Sequence, residues 1–349
     1  MPAASANVRA MATRGIDEVK VSSWLADNVK GAETPFTFEL IAGGHSNLTY
    51  KVTGGDGTDV VLRRPPLGHV LATAHDMARE HKIISGVGRT EVPVPVALGL
   101  CEDVDVNGAP FYVMSYVEGD VLHDQTVAEV LEMEDRAALG RHVPEVLAQL
   151  HSVDPDDVGL GDLGRREDYI ARQLKRWTRQ WEQSKTRELP QMTETQLTLE
   201  RDMPSQVGST IVHGDYRLGN MISGSGRIRA VLDWELCTLG DPMADVGYLV
   251  NNWLEPGAGA PAGSSAPTLA GGFGTRDELL SRYQDLTGRD VSRVGYYQAF
   301  SFWRLAAICE GVYRRYLEGV MGDQSDVDLE EMKQRTVDLA DAAVEALQT

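Results

Sequence analysis

The residue pattern changes character near position 117, and this constrains the fold more than any single residue. Before that point, short apolar runs alternate with polar residues at the two-residue period of half-buried strands. Residues 36–41, 48–53 and 59–64 read as strands, the last two joined by a Gly-Gly-Asp-Gly turn. Pro65-Pro66 stops the third. Thr73 with Asp76 three residues on fits a capping box, opening a helix over 74–87 with Met77, Ile84 and Val87 on its apolar side. A second hairpin, 98–102 with 111–117, turns at Asn107-Gly108.

After Glu118-Gly119 long helical patterns take over, at 126–150, 167–183 and 295–317. One β-rich patch, 211–233, interrupts them. The stretch 254–274 is rich in Gly, Ala, Pro and Ser, and reads as a mobile surface loop. The expected architecture is α+β with two lobes. Residues 1–115 form a β-rich lobe with an N-terminal tail and a helix, and residues 116–349 a mainly helical one.

A chain of 349 residues is long enough for two cores. Its net charge of −19 argues against a nucleic-acid partner. No apolar run approaches the ~18 residues that span a bilayer, and residues 1–15 lack the apolar core of a secretory signal. Cys101, Cys237 and Cys309 are odd in number and far apart, which fits a reducing compartment and gives no metal site. A cytoplasmic location follows as the expectation, with no membrane partner and an oligomeric state that the sequence leaves open.

Two short runs carry the chemistry. In His213-Gly214-Asp215-Tyr216-Arg217-Leu218-Gly219-Asn220 an acid precedes an amide by five residues. This is the H-x-D-x-x-x-x-N spacing of a kinase catalytic loop: the carboxylate accepts the proton of an attacking hydroxyl, and the amide oxygen reaches a metal on the phosphates. Downstream, Val231-Leu232-Asp233-Trp234-Glu235 puts a second acid just after an apolar run, where kinases carry a metal-binding aspartate. Trp234 and Glu235 stand where protein kinases have Phe and Gly. Asp and Asn in loops commonly only make turns. Both runs in order, each beside a short apolar strand, point to catalysis.

With these runs, Gly43-Gly44-His45-Ser46-Asn47, Leu62-Arg63-Arg64-Pro65-Pro66, His75-Asp76-Met77-Ala78-Arg79-Glu80 and Leu239-Gly240-Asp241-Pro242-Met243-Ala244-Asp245, the chain resembles the aminoglycoside phosphotransferase and choline kinase-like family. The branch it resembles holds the kinase-like domains fused to acyl-CoA dehydrogenases. The resemblance implies a protein-kinase-like fold and transfer of the γ-phosphate of ATP, or alternatively GTP, to a small-molecule hydroxyl with Mg²⁺. It implies Asp215 as base and Asn220 and Asp233 as metal ligands. Gly43, Gly44, Ser46 and Asn47 fall in its nucleotide-covering loop. Tyr116 and Val117 fall in the hinge that meets the adenine. Arg63, or its neighbour Arg64, falls where kinases keep a phosphate-gripping lysine, and Glu80 is its partner. Arg217 is read either as a clamp on the transferred phosphoryl group or as one half of a salt bridge. Asp245 is expected to be buried and bonded to the backbone of the catalytic loop.

The segment 165–187 holds eight basic residues against three acidic ones, with Tyr169, Trp177 and Trp181 interleaved. It suits an anionic acceptor such as a hydroxyacyl-CoA better than a polycationic aminoglycoside, though an ordinary helix with a solvated basic face explains it as well. The alternative to an enzyme is a nucleotide-binding pseudokinase or scaffold module, for which the arginine at position 63 is the feature in favour.

Overall fold

The computed structural model describes residues 13–42, 47–67, 76–257, 266–319 and 327–348. The chain divides into two compact units: residues 1–89 with 94–117, and residues 90–93 with 118–349.

The first unit is built on an antiparallel sheet of five strands: β1 (Thr37–Ala42), β2 (Leu48–Thr53), β3 (Asp59–Arg64), β4 (Ala97–Cys101) and β5 (Phe111–Ser115), in the order β1-β2-β3-β5-β4. Alternation sets its two faces. Tyr50 pairs with Leu62, and Leu62 with Val113. These residues pack with Val52, Val60 and Phe111 against α1 (Glu18–Asn28), through Val21, Leu25 and the edge of Trp24 on Phe111. The opposite face carries Val61, Arg63, Tyr112 and Met114 and meets α2 (Met77–Val87). Met77, Ile84 and Val87 are buried there, as their spacing predicts.

Two local readings need correction. The cap of α2 is Asp76, whose carboxylate accepts from Arg79 N at 2.9 Å. The helix therefore starts later than a Thr73 capping box requires, and Thr73 itself lies outside the described residues. Asn107-Gly108 does not make a two-residue hairpin turn. A one-turn helix, α3 (Val104–Asn107), fills the connection, and Gly108 ends it at φ 71°.

The second unit is mainly helical. A long helix, α10 (Val294–Leu317), packs against α6 (Tyr169–Ser184), α7 (Pro190–Arg201), α8 (Met243–Asn251) and α11 (Leu329–Ala346), and α5 (Met133–Ser152) packs on α9 (Arg276–Thr287). Two antiparallel strand pairs complete it: β6 (Thr210–Val212) with β9 (Thr238–Gly240), and β7 (Met221–Gly224) with β8 (Arg227–Val231).

The helical pattern at 126–150 is two helices, because the chain breaks after α4 (Gln125–Glu129). Arg136 fills the break: its guanidinium donates to the carbonyls of Glu129, Leu131 and Ala270. Part of the 254–274 stretch is packed rather than mobile. Pro267, Thr268 and Phe273 are buried, Phe273 against Trp253. Gly140 of α5 lies so close that a Cβ there would sit 1.8 Å from the Phe273 carbonyl oxygen. Residues 258–265 lie outside the described residues.

Candidate active site

In the second unit, β6 delivers the His213–Asn220 run from a fully buried strand end. The run cannot continue the strand, since Gly214 turns at φ 86° with Leu236 about where a Cβ would contact it, at 3.0 Å. Asp245, at the start of α8, supports this turn. Its buried carboxylate accepts from His213 N at 2.7 Å and from Gly214 N at 2.8 Å. This is the buried, backbone-bonded brace that the sequence leads one to expect.

His213 is locked as well. Its Nε2–H donates to Leu232 O at 3.0 Å, leaving Nδ1 to accept the Asp215 N–H at 3.2 Å. Its ring packs against that of Trp234, which is fully buried, with centroids 4.7 Å apart and planes tilted by 56°. The residue in place of the usual Phe is therefore a fixed part of the core, with its indole N–H on Val231 O at 3.0 Å.

The carboxylate of Asp215 is held from several sides. Asn220 Nδ2 donates both to Asp215 Oδ2 at 2.7 Å and to Asp215 O at 2.9 Å. Arg217 Nε stands 3.4 Å from Oδ1. Asn220 O accepts the Leu232 N–H at 2.8 Å, tying this loop to the segment that carries Asp233. Asp233 is half-buried and holds φ 65°, a left-handed conformation that non-glycine residues seldom adopt. Such outliers persist where the surroundings over-determine them.

These groups fit a divalent metal on a nucleotide. With its amide nitrogen engaged by Asp215, Asn220 has its amide oxygen left as a ligand. Magnesium usually takes one or two protein carboxylates and completes its shell with phosphate oxygens and water. A set of Asn220 and Asp233 meets that need. No group of three His, Cys, Asp or Glu side chains among the described residues could hold a metal ion.

In the first unit, Arg63 and Arg64 separate by face. Arg63 Nη1 lies 3.2 Å from Glu80 Oε1 on α2, both side chains buried. Arg64 points the other way, to the carbonyls of Gly15 and Asn107. Asn47 is buried, and Tyr116 lies under the Lys51 ammonium at 4.5 Å, beside a half-buried Val117. Gly43, Gly44 and Ser46 lie outside the described residues.

The basic segment proves less available than its composition implies. Arg165, Arg166, Lys185 and Arg187 are all in ion pairs, and Tyr169 and Trp181 are buried. Lys175, Arg176 and Arg179 are exposed. Two residues of the site escaped the sequence reading. Tyr248, one helical turn after Asp245, faces the Asp215 carboxylate; burial, then the charge and hydrogen bonding of Asp215, pushes its phenol up. Arg304 of α10 donates to Gly214 O at 3.1 Å. Spacing could have flagged Tyr248, on the same helix face as Asp245. No motif marks Arg304.

A β-sheet unit followed by a helical unit, with these loops in this order, is a kinase-like α+β fold. The phosphotransferase enzyme family matches residues 37–279, and the chain belongs to it. Mouse acyl-CoA dehydrogenase family member 10 is 38% identical over 288 residues, 79% of this chain and 26% of that protein. Arabidopsis thaliana probable acyl-CoA dehydrogenase IBR3 is 35% identical over 335 residues, 89% of this chain and 40% of that protein. The chain thus spans well under half the length of these relatives. A Ralstonia eutropha structure provisionally classed as an aminoglycoside phosphotransferase is 32% identical, with a TM-score of 0.80 over 95% of this chain and 98% of that one. A thermostable mutant of aminoglycoside phosphotransferase APH(4)-Ia, in a ternary complex with ADP and hygromycin B, shares the fold at 18% identity, with a TM-score of 0.60 over 94% of this chain and 98% of that one. Among the described residues, no helix is long and apolar enough to cross a membrane.

Proposed function

We propose that the chain transfers the γ-phosphate of ATP to the hydroxyl of a small anionic metabolite, with Asp215 as base. The observation that carries this is the double contact of Asn220 Nδ2 with Asp215, at 2.7 and 2.9 Å, which fixes the carboxylate and leaves the amide oxygen outside that contact. Asp215 aligns the acceptor hydroxyl and takes its proton. Asn220 and Asp233 hold Mg²⁺, which when bound neutralises charge on the β- and γ-phosphates. Arg217 meets the transferred group, a role supported by its being 38% exposed and joined to Asp215 by one long contact. In the first unit, Arg63 grips the phosphates with Glu80 orienting it. Gly43, Gly44, Ser46 and Asn47 cover the nucleotide, and Tyr116 and Val117 meet the adenine.

An anionic acceptor is favoured by the cations beside Asp215, Arg217 of the loop itself and Arg304 of α10, while the Asp245 carboxylate on the same loop is buried and taken up by backbone N–H groups. A polycation would meet repulsion there. Relatives named as acyl-CoA dehydrogenases make a hydroxyacyl-CoA the first acceptor to test.

The test is phosphate transfer from Mg-ATP, and in parallel Mg-GTP, to a panel of hydroxyacyl-CoAs, hydroxy acids and aminoglycosides. Asp215→Asn should lower turnover about 10²–10⁴-fold, the usual worth of a general base, while nucleotide affinity stays near wild type. Normal turnover by that variant would remove Asp215 from the role. Nucleotide binding with no transfer to any acceptor would favour the pseudokinase module.

A further inference from the structure

The peptide group that enters Asp215 is held at both ends. Its N–H donates to His213 Nδ1 at 3.2 Å, and its carbonyl, Gly214 O, accepts from Arg304 Nη2 at 3.1 Å. Gly214 N–H is already held by Asp245, so Arg304 supplies the opposing hold on the same residue. The guanidinium of Arg304 also lies 5.7 Å from the centre of the Tyr248 ring, whose hydroxyl faces Asp215. Asp245 and Tyr248 are three residues apart on α8, so one helix face reaches both the backbone and the side chain of this loop.

Arg304 is an expensive residue to place here. Its Nε is a buried donor with no hydrogen-bond partner among the described residues. A hydrocarbon side chain would fill the space without leaving a donor unmet. Asp215 Oδ1 is likewise buried and lacks a hydrogen bond of ordinary length, with Arg217 Nε at 3.4 Å. Two buried polar atoms beside the Gly214-Asp215 turn, one on α10 and one on the loop, thus carry no hydrogen bond of ordinary length.

We propose that Arg304 and Tyr248 are positioning residues: Arg304 fixes the Gly214-Asp215 peptide, and its guanidinium braces the Tyr248 ring so that the phenol steers the Asp215 carboxylate. This rests on Asp215 being the base. With the peptide and the carboxylate both held, the side chain has one direction in which to meet an acceptor hydroxyl. A misplacement of about 1 Å at such a group can cost about 10²-fold in rate, so a partial loss of aim is expected to cost about tenfold.

Two measurements test it on the full chain. The first is steady-state transfer from Mg-ATP to the hydroxyacyl-CoA and hydroxy-acid panel. Tyr248→Phe and Arg304→Met should each lower kcat about tenfold with KM for Mg-ATP within about twofold. Arg304→Lys, which keeps a donor, should recover part of the loss. In an Asp215→Asn background, Tyr248→Phe should cost nothing further, because it acts through the missing carboxylate. The second is amide exchange over residues 212–220 by mass spectrometry, which needs no turnover. Arg304→Met should speed exchange there about tenfold, and Arg304→Lys less. Unchanged exchange and kcat in Arg304→Met would overturn the clamp, as would an equal Tyr248→Phe loss in the wild-type and Asp215→Asn backgrounds. A wild type inactive on every acceptor would instead count against Asp215 as base, while the exchange result would still decide whether Arg304 holds the loop.

Discussion

Replacing Asp245 with alanine removes the shared acceptor of three buried donors: His213 N–H at 2.7 Å, Gly214 N–H at 2.8 Å and His151 Nε2 at 3.2 Å. A buried donor left unmet costs about 1–3 kcal/mol. Some relief comes from water entering the space vacated, so the expected loss is about 4 kcal/mol rather than the full sum. In a unit of this size that lowers the midpoint of thermal unfolding by roughly 8–16 °C. Asp245→Asn keeps the volume and one acceptor oxygen but turns an amide N–H₂ toward donors, so it should lose about half as much. The assay is calorimetry at pH 7.5 on both variants, with amide exchange over 212–220 beside it. A midpoint for Asp245→Ala within 2 °C of wild type, taken as roughly the shift from 1 kcal/mol or less, would refute the argument that this carboxylate sustains the loop.

Asp233→Ala should weaken Mg-nucleotide binding by about tenfold or more while leaving metal-free nucleotide binding little changed; calorimetric titration with and without Mg²⁺ checks it, and equal affinities would undo the metal role. Arg63→Met removes the cation set against buried Glu80 at 3.2 Å, and should cost about 3–5 kcal/mol of stability in addition to nucleotide affinity, read from denaturant unfolding. Acid should destabilise the fold from the ordinary histidine range downward. Burial pushes the His151 imidazole down, against the opposing hydrogen bond and charge of Asp245. A base whose folded pKa is depressed gives full stability above its unfolded value, near 6.5, and loses it as pH falls below that, because the unfolded chain takes up the proton first. Asp245 acts lower. Burial pushes its carboxyl up, but the His151 hydrogen bond, the nearby histidine charges and Gly214 N–H outweigh it and hold the group below the usual 3.8, so its contribution is lost only as pH falls beneath that value. Unfolding midpoints measured from pH 7.5 to 5 should fall for wild type and fall less for His151→Gln.

How much could be read from sequence depended on how local each cause was. β2 and β3 follow the expected bounds because their alternation and the glycine turn are local signals. The break after Glu129 does not announce itself, since it is filled by Arg136 reaching three carbonyls at once, one of them more than a hundred residues away. The Gly-rich 254–274 stretch looked unable to pack, yet Phe273 found a place between Trp253 and a glycine of α5. The same division runs through the site. Asp245 was recognisable from its family motif, and its burial followed. Tyr248 sits one turn beyond it but lacks a motif, and Arg304 lies 90 residues from the carbonyl that it holds. The choice between Arg63 and Arg64 needed only the sheet faces, which sequence numbering implies but cannot anchor until Glu80 is located on α2.

The two sequence readings of Arg217, salt bridge and phosphoryl clamp, need not compete. Its contact with Asp215 is single, long at 3.4 Å and 38% exposed. Exposed pairs of this kind contribute on the order of 0–1 kcal/mol. Its guanidinium is also folded over Gly219, where a Cβ would lie 2.4 Å from Nη1, so the side chain is stored against its own loop rather than buried elsewhere. A doubly charged phosphoryl group offers a guanidinium a bidentate partner, a stronger bond than one carboxylate oxygen at that distance. The resting salt bridge is then weak enough to exchange. Arg304 differs, because it is engaged by a carbonyl and an aromatic ring that no reaction step removes. On the function proposed above, the two cations near Asp215 would divide the work: Arg304 to hold the loop, and Arg217 to leave its salt bridge for the phosphoryl group.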